Sequence, residues 1–244
     1  MLHRISKLYE NIVYSKDSQV GISEDCFFDS KHWMVRYLLI RTGTFFNKKN
    51  VLIPPMHLGE IFWEQQRITL TLSADQIKNC TKLEPESFNY YHWPYYWTGA
   101  GIWGIASTSE SIRLGTPPTI EINGTPCLRS TLQTVDYRVE SEETELGYVR
   151  DFIFDDNNWI IRYLLVDTQA FQPPGSLVLL SPQWMRTANW PNLVFKFDFP
   201  IERILRAPEF VSKNAPSRSY EIALWKYYHK IGYWLNGEPF KKAG

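Results

Sequence analysis

Two stretches decide the fold: "GISEDCFFDSKHWMVRYLLIRT" at residues 21–42 and "GYVRDFIFDDNNWIIRYLLVDT" at residues 147–168. Aligned without a gap, they agree at ten of 22 positions: Gly, Asp, Phe, Asp, Trp, Arg, Tyr, Leu, Leu and Thr. Each residue of the first copy has its counterpart 126 positions further on. Self-similarity at a fixed offset marks a duplicated structural unit. The match continues outward with small length changes. "VLIPP" at 51–55 answers "VLLSP" at 178–182, and "RITLTLS" at 67–73 answers "NLVFKFDF" at 192–199. Upstream, "LHRIS" at 2–6 loosely answers "LRSTL" at 128–132. The repeat divides the chain into one unit at 1–85, a connector at 86–126, a second unit at 127–210 and a tail at 211–244.

Both units read as β structure. "WMVRYLLI" and "WIIRYLLV" are short apolar runs rich in branched and aromatic residues, the pattern of a strand covered on both faces. "ITLTL" places Ile68, Leu70 and Leu72 on one face, with Thr69 and Thr71 on the other. "LVFKFDF" sets Leu193, Phe195, Phe197 and Phe199 against Val194, Lys196 and Asp198. "FDSKHW" and "FDDNNW" carry the Asp, Asn and Ser of hairpin turns. Each unit ends in a helical turn, "ADQIKN" behind the N-cap Ser73 and "PIERIL" with Pro200 in its first turn. Short strands that close on one another give a small barrel.

The pattern G-x-x-x-D-x-x-F-D, W-x-x-R-Y-L-L and V-L-x-x-P resembles the PRC-barrel domain, and the resemblance covers both units. That domain is named for the cytoplasmic part of the H subunit of photosynthetic reaction centres, and it also forms the C-terminal part of a ribosome maturation factor. The connector and the tail "YEIALWKYYHKIGYW" are similar to those of bacterial proteins with two such barrels. The resemblance implies a mainly β fold: two small barrels in tandem, an aromatic-rich connector and a C-terminal α-helix. It implies a protein-binding or assembly role and carries no catalytic residue across. The membrane helix of the H subunit and the RNA-site domain of the ribosome factor have no counterpart here, so neither function transfers.

Composition excludes several classes. Lys plus Arg and Asp plus Glu stand at 26 each, and a neutral chain is not expected to bind nucleic acid through its phosphates. No apolar run reaches membrane-helix or signal-peptide length, so a soluble, cytoplasmic protein is expected. Cys26, Cys80 and Cys127 are scattered and odd in number, which is no disulfide framework. The five histidines lack H-x-x-x-H and H-x-H spacing, and no metal or other cofactor is expected. "TGAGIWG" spells an approximate glycine fingerprint but opens no helical pattern, and it reads as a turn.

Arg36 and Arg162 fall at the same place inside an apolar strand of each copy. A buried guanidinium needs partners, and the candidates are Asp25 and Asp29 in one copy and Asp151 and Asp155 in the other. An anion-binding arginine is the functional reading. Occurrence in both copies favours a structural ion pair that pins the hairpin, or a guanidinium that snorkels to water. A general acid or base would need a second titrating group beside it, which the sequence does not supply, so no catalytic residue is assigned and the chain is read as a non-enzyme.

The connector holds "YYHWPYYWTGAGIWG" at 90–104, with eight ring-bearing residues and no Lys or Arg between Lys82 and Arg113. Trp93, Tyr95, Tyr96, Trp97 and Trp103 are candidates either for packing or for a ligand platform. Missing positive charge argues against single-strand nucleic acid, and so many uncharged rings favour packing within the molecule or between subunits. In the tail, Ser219 is expected to cap a helix with a stripe of Ile222, Leu224, Trp225 and Tyr228, stopped by Gly232. The stripe docks on a barrel or on another chain. The resulting reading is an assembly module with a protein partner and a possible homo-oligomer. A small-molecule or polysaccharide binder using the aromatic cluster, with or without an enzymatic step, is the alternative.

Overall fold

A computed structural model describes residues 1–44, 47–80, 82–83, 121–122, 125–126, 128–142, 144–168, 176–211 and 214–235. The protein is mainly β. The chain forms two compact units. The first comprises Ile5–Gln133 with Asn158–Ile160; the second comprises Met1–Arg4, Thr134–Asn157 and Ile161–Gly244.

In the first unit the long hairpin β3 (Gln19–Asp29) and β4 (Met34–Thr44) is central. β2 (Ile12–Tyr14) pairs antiparallel with β3 and parallel with β7 (Arg67–Leu70), which pairs in turn with β6 (Leu58–Phe62). On the other side β4 pairs with β5 (Asn47–Ile53), and β5 with the short β8 (Lys82–Leu83). A separate ladder joins β9 (Glu121–Ile122) and β10 (Thr125–Pro126). Helix α1 (Ala74–Lys78) follows β7, and Ser73 and Gln76 close a capping box at its start.

The second unit repeats the order of β2–β7 and α1. β12 (Arg138–Ser141) pairs antiparallel with β13 (Thr144–Asp155) and parallel with β17 (Val194–Phe197), which pairs with β16 (Met185–Asn189). β14 (Ile160–Asp167) lies beside β13 and pairs with β15 (Leu177–Leu180). Helix α3 (Ile201–Leu205) stands where α1 stands, and α4 (Arg218–Tyr227) belongs to the tail.

The first strand of each copy completes the sheet of the other. β1 (Leu2–Arg4) pairs with β13, setting Leu2 opposite Asp155 and Arg4 opposite Ile153. β11 (Leu128–Ser130), which leads into α2 (Thr131–Thr134), pairs with β3, setting Leu128 opposite Asp29 and Ser130 opposite Phe27. The two registers are equivalent under the 126-residue offset. The hairpin tip Asn158–Ile160 also joins the first unit, where Val35 N donates to Trp159 O at 2.8 Å. The compact units therefore do not divide at the ends of the sequence repeats.

Among the described residues the pairing path is open, ending at β6 and β8 in one unit and at β16 and β15 in the other. Two closed barrels were expected from the sequence, and the described pairings support the coarser statement of a mainly β fold. Chemistry accounts for the break between β5 and β6. Pro54 and Pro55 stand there, with Pro182 at the same junction of the second copy, and proline has no N–H to extend a ladder.

Buried residues match across the copies. Val13, Phe28, Tyr37, Leu38, Ile68 and Leu70 correspond to Val139, Phe154, Tyr163, Leu164, Phe195 and Phe197, all buried. Leu72 is buried as well, as the "ITLTL" alternation expects. "LVFKFDF" departs from expectation at its start. Leu193 takes the left-handed conformation at φ 57° and stays 51% exposed, while Val194 is buried. The alternation runs from Phe195 onward, with Phe195, Phe197 and Phe199 buried.

Candidate functional site

The shared hairpin is built around an aspartate. At the end of β3 the chain turns, and Trp33 N donates to Asp29 O at 2.7 Å. Trp33 is left-handed at φ 54°, as Trp159 is at φ 60°, a conformation that costs a bulky residue of order 1 kcal/mol or more. Asp29 offsets this strain: Oδ1 accepts from Lys31 N at 2.8 Å and His32 N at 3.2 Å. Its Oδ2 lies 2.6 Å from His32 Nδ1 and accepts from Arg36 Nη2 at 2.9 Å. Burial pushes the Asp29 carboxyl up, but the His32 hydrogen bond and the Arg36 charge outweigh it and hold the group at about 2.

The second copy keeps the plan with different donors. Asp155 Oδ1 accepts from Asn157 N and Nδ2, at 3.2 and 2.9 Å. Its Oδ2 is 3.6 Å from Arg162 Nη2, and the Arg162 guanidinium lies 3.9 Å from the Tyr233 ring centroid. Thus Arg36 meets Asp29, and Arg162 meets Asp155.

Asp25 is placed differently. Its carboxylate accepts from Cys26 N at 2.7 Å, Thr131 Oγ1 at 2.9 Å and Leu132 N at 3.1 Å, and also from Ser130 Oγ. These donors are neutral, and three of them arrive with the exchanged segment of β11 and α2. Burial raises the Asp25 pKa, and the hydrogen bonds only moderate that rise. Asp151, its counterpart, is buried and accepts from Phe152 N at 2.7 Å. Asp25 borders an open cleft of about 430 Å³, together with Glu10, Glu24, Arg41, Asn50 and Gln133.

The two copies differ in the charges beside this point. In the first, Glu24 of β3 pairs with Arg41 of β4. At the corresponding positions of the second, Arg150 of β13 pairs with Asp167 of β14 at 3.3 Å and also with Asp136. The polarity is reversed.

The tail gives the second unit a site with no counterpart among the described residues of the first. Ser217 caps α4, its Oγ accepting from Tyr220 N at 3.2 Å. The expected cap, Ser219, instead lies in the first turn, because the chain enters the helix two residues earlier. The helix stops at Tyr228, with His229 left-handed at φ 53°, ahead of the expected stop at Gly232. Leu224, Trp225 and Tyr228 are buried as the stripe expects, whereas Ile222 is 52% exposed and Glu221 is buried in its place. Glu221 Oε1 accepts from Tyr163 OH and Tyr233 OH, both at 2.8 Å, and Oε2 lies 2.8 Å from Arg218 Nη1. Tyr163 OH also accepts from Trp225 Nε1 at 2.6 Å. Burial raises the pKa of Glu221 despite these donors, and it raises those of Tyr163 and Tyr233. Sequence reasoning missed this cluster. Its one visible signal was an acidic residue between apolar positions of the tail helix.

Beyond the cluster, a groove of about 610 Å³ is lined by Arg203, Pro208, Ala223, Lys226, Tyr227 and His229. Burial pushes the Cys80 thiol up to about 11, which disfavours the thiolate. Among the described residues no group of three or more His, Cys, Asp or Glu is placed to hold a metal ion. No described helix is long and apolar enough to cross a membrane. Trp93, Tyr95, Tyr96, Trp97, Trp103 and Cys127 lie outside the described residues. Compared with known proteins, the chain matches no family model, and no curated protein is significantly similar to it.

Proposed function

We propose that the chain is a non-enzymatic protein-binding or assembly module of bacterial, cytoplasmic type, built from duplicated PRC barrels whose two copies offer different faces to partners. The observation that carries this reading is the reversed ion pair at equivalent surface positions, Glu24–Arg41 in one copy and Arg150–Asp167 in the other. What the copies share is spent internally: Asp29 and Asp155 hold turns, and the matched apolar residues fill cores. Divergence on the surface over a common interior is the arrangement expected of a scaffold that meets two unlike surfaces, because electrostatic complementarity sets which partner is accepted.

The test is capture from the native host's lysate with tagged full-length protein, with and without nuclease, followed by mass spectrometry. One protein recovered near stoichiometry in both arms is the expected result, and charge reversal at Glu24 or Arg150 should weaken its capture. Recovery of the bait alone, together with saturable heat on titrating sugars or metabolites, would replace this reading with a small-molecule binder.

A further inference from the structure

We propose that the groove between α3 and α4 docks an acidic peptide segment of a partner protein that also presents an apolar side chain. The proposal rests on the protein-binding reading and names the chemistry of one such partner. The lining residues Arg203, Lys226 and His229 supply positive or protonatable groups, and no carboxylate lines the groove among the described residues. Lys226 and His229 are exposed, and neither has an ion-pair partner among the described residues.

Part of this charge has an ordinary use. A helix C-terminus carries about half a negative charge, and basic residues in its last turn offset it. Arg203 already does so, Nη2 donating to Tyr227 O at 3.0 Å, while Tyr227 OH donates back to Arg203 O at 2.7 Å. These reciprocal bonds brace α3 against α4 and fix the groove in the absence of any partner. Lys226 lies outside them and leaves a surplus of positive charge. Pro208, Ala223 and the Tyr227 ring supply apolar wall, and Ile222 shares the helix face of Lys226 at i, i+4 spacing. Cations beside apolar wall complement a carboxylate adjoining an aliphatic or aromatic side chain. A nucleic-acid backbone would need a longer positive track than three groups on a neutral chain provide.

The test uses the full chain and a short fluorescein-labelled peptide alternating Glu and Leu, followed by anisotropy. Binding should weaken as salt is raised. It should weaken about tenfold in Lys226→Glu, where attraction becomes like-charge repulsion, and hold in Lys16→Glu, an exposed lysine of the first unit. A Gln-for-Glu peptide should not bind. Equal affinity for Lys226→Glu, equal loss in Lys16→Glu, or displacement by inorganic phosphate at peptide-like concentrations would overturn the proposal. Its failure is separable from that of the broader reading. A partner captured equally by wild type and Lys226→Glu would remove the groove and leave the assembly role standing.

Discussion

At the tip of β3, Asp29 sits below the ordinary carboxylate value of 3.8, at about 2, because His32 and Arg36 overcome the effect of burial. A lowered folded-state pKa stabilises above the unfolded value and is lost as pH falls through the folded one. Holding the carboxyl at about 2 rather than 3.8 is worth about 2 kcal/mol, so Asp29→Asn should lose about that much at pH 7. Denaturant unfolding across pH should show the gap to wild type closing between about pH 4 and pH 2; a constant gap would remove the ion pair from the account. Asp25, four residues earlier, carries the opposite sign. Its raised pKa gives stability that is present below the unfolded value and lost as pH rises through the folded one. Wild type should therefore gain on Asp25→Asn as pH falls from neutral toward about 4. In that variant Oδ1 can still accept three of the bonds, and the amide can donate to Ser130 Oγ, so the comparison isolates charge from shape. Parallel pH curves would show that burial leaves this carboxyl unshifted. Both aspartates were visible in the sequence as candidates for pairing with arginine. Their separation into two roles was not, because three of the four donors to Asp25 lie more than a hundred residues away along the chain.

Helix α4 shows what periodicity conveys and what it omits. The spacing of Leu224, Trp225 and Tyr228 marks a buried face correctly, since helix geometry alone sets which residues share a side. It could not indicate that Glu221 turns inward, because a first-turn acid ordinarily favours the exposed N-terminus. What brings it in is Tyr163 on β14 and Tyr233 beyond the helix, which donate to one carboxylate oxygen. The cap was misread for a local reason: Ser217 and Ser219 are chemically equal, and their Oγ atoms lie 2.9 Å apart. Tyr163→Phe removes a hydroxyl that donates to Glu221 and accepts from Trp225, leaving a buried N–H without that acceptor. The expected cost is about 1–3 kcal/mol. Loss should concentrate at the tail, so hydrogen exchange should quicken in α4 and spare β2–β7 of the first unit. Uniform quickening would mean that the cluster supports the whole fold rather than the docking of one helix.

At the scale of the chain, the repeat identifies equivalent segments but not which sheet each first strand joins. "LHR" and "LRS" each begin with leucine and could serve either hairpin by pattern alone, and three residues carry too little sequence to specify a partner. The exchange has a definite consequence. Within the first unit, Ser130 and Thr131 hydroxyls and Leu132 N give Asp25 three of its four donors. A fragment of residues 1–126 lacks all three, together with the β11 ladder that covers Phe27 and Phe28. Folding its own β1 back onto β3 would place Arg4 and Ile5 where Ser130 and Thr131 stand, exchanging two hydroxyl donors for a guanidinium and an aliphatic chain. A buried acceptor left without donors costs about 1–3 kcal/mol, and more when charged, against a domain stability of only about 5–15 kcal/mol. A fragment of residues 127–244 correspondingly lacks β1, the strand paired with β13. Expressed apart, neither half should give a cooperative thermal transition as a monomer. Mixed at equal concentration from denaturant, they should recover native-like circular dichroism and run as a one-to-one complex. If each half instead unfolds cooperatively as a monomer, each copy can complete its own sheet, and the exchange is a choice of partner made only when both copies share one chain.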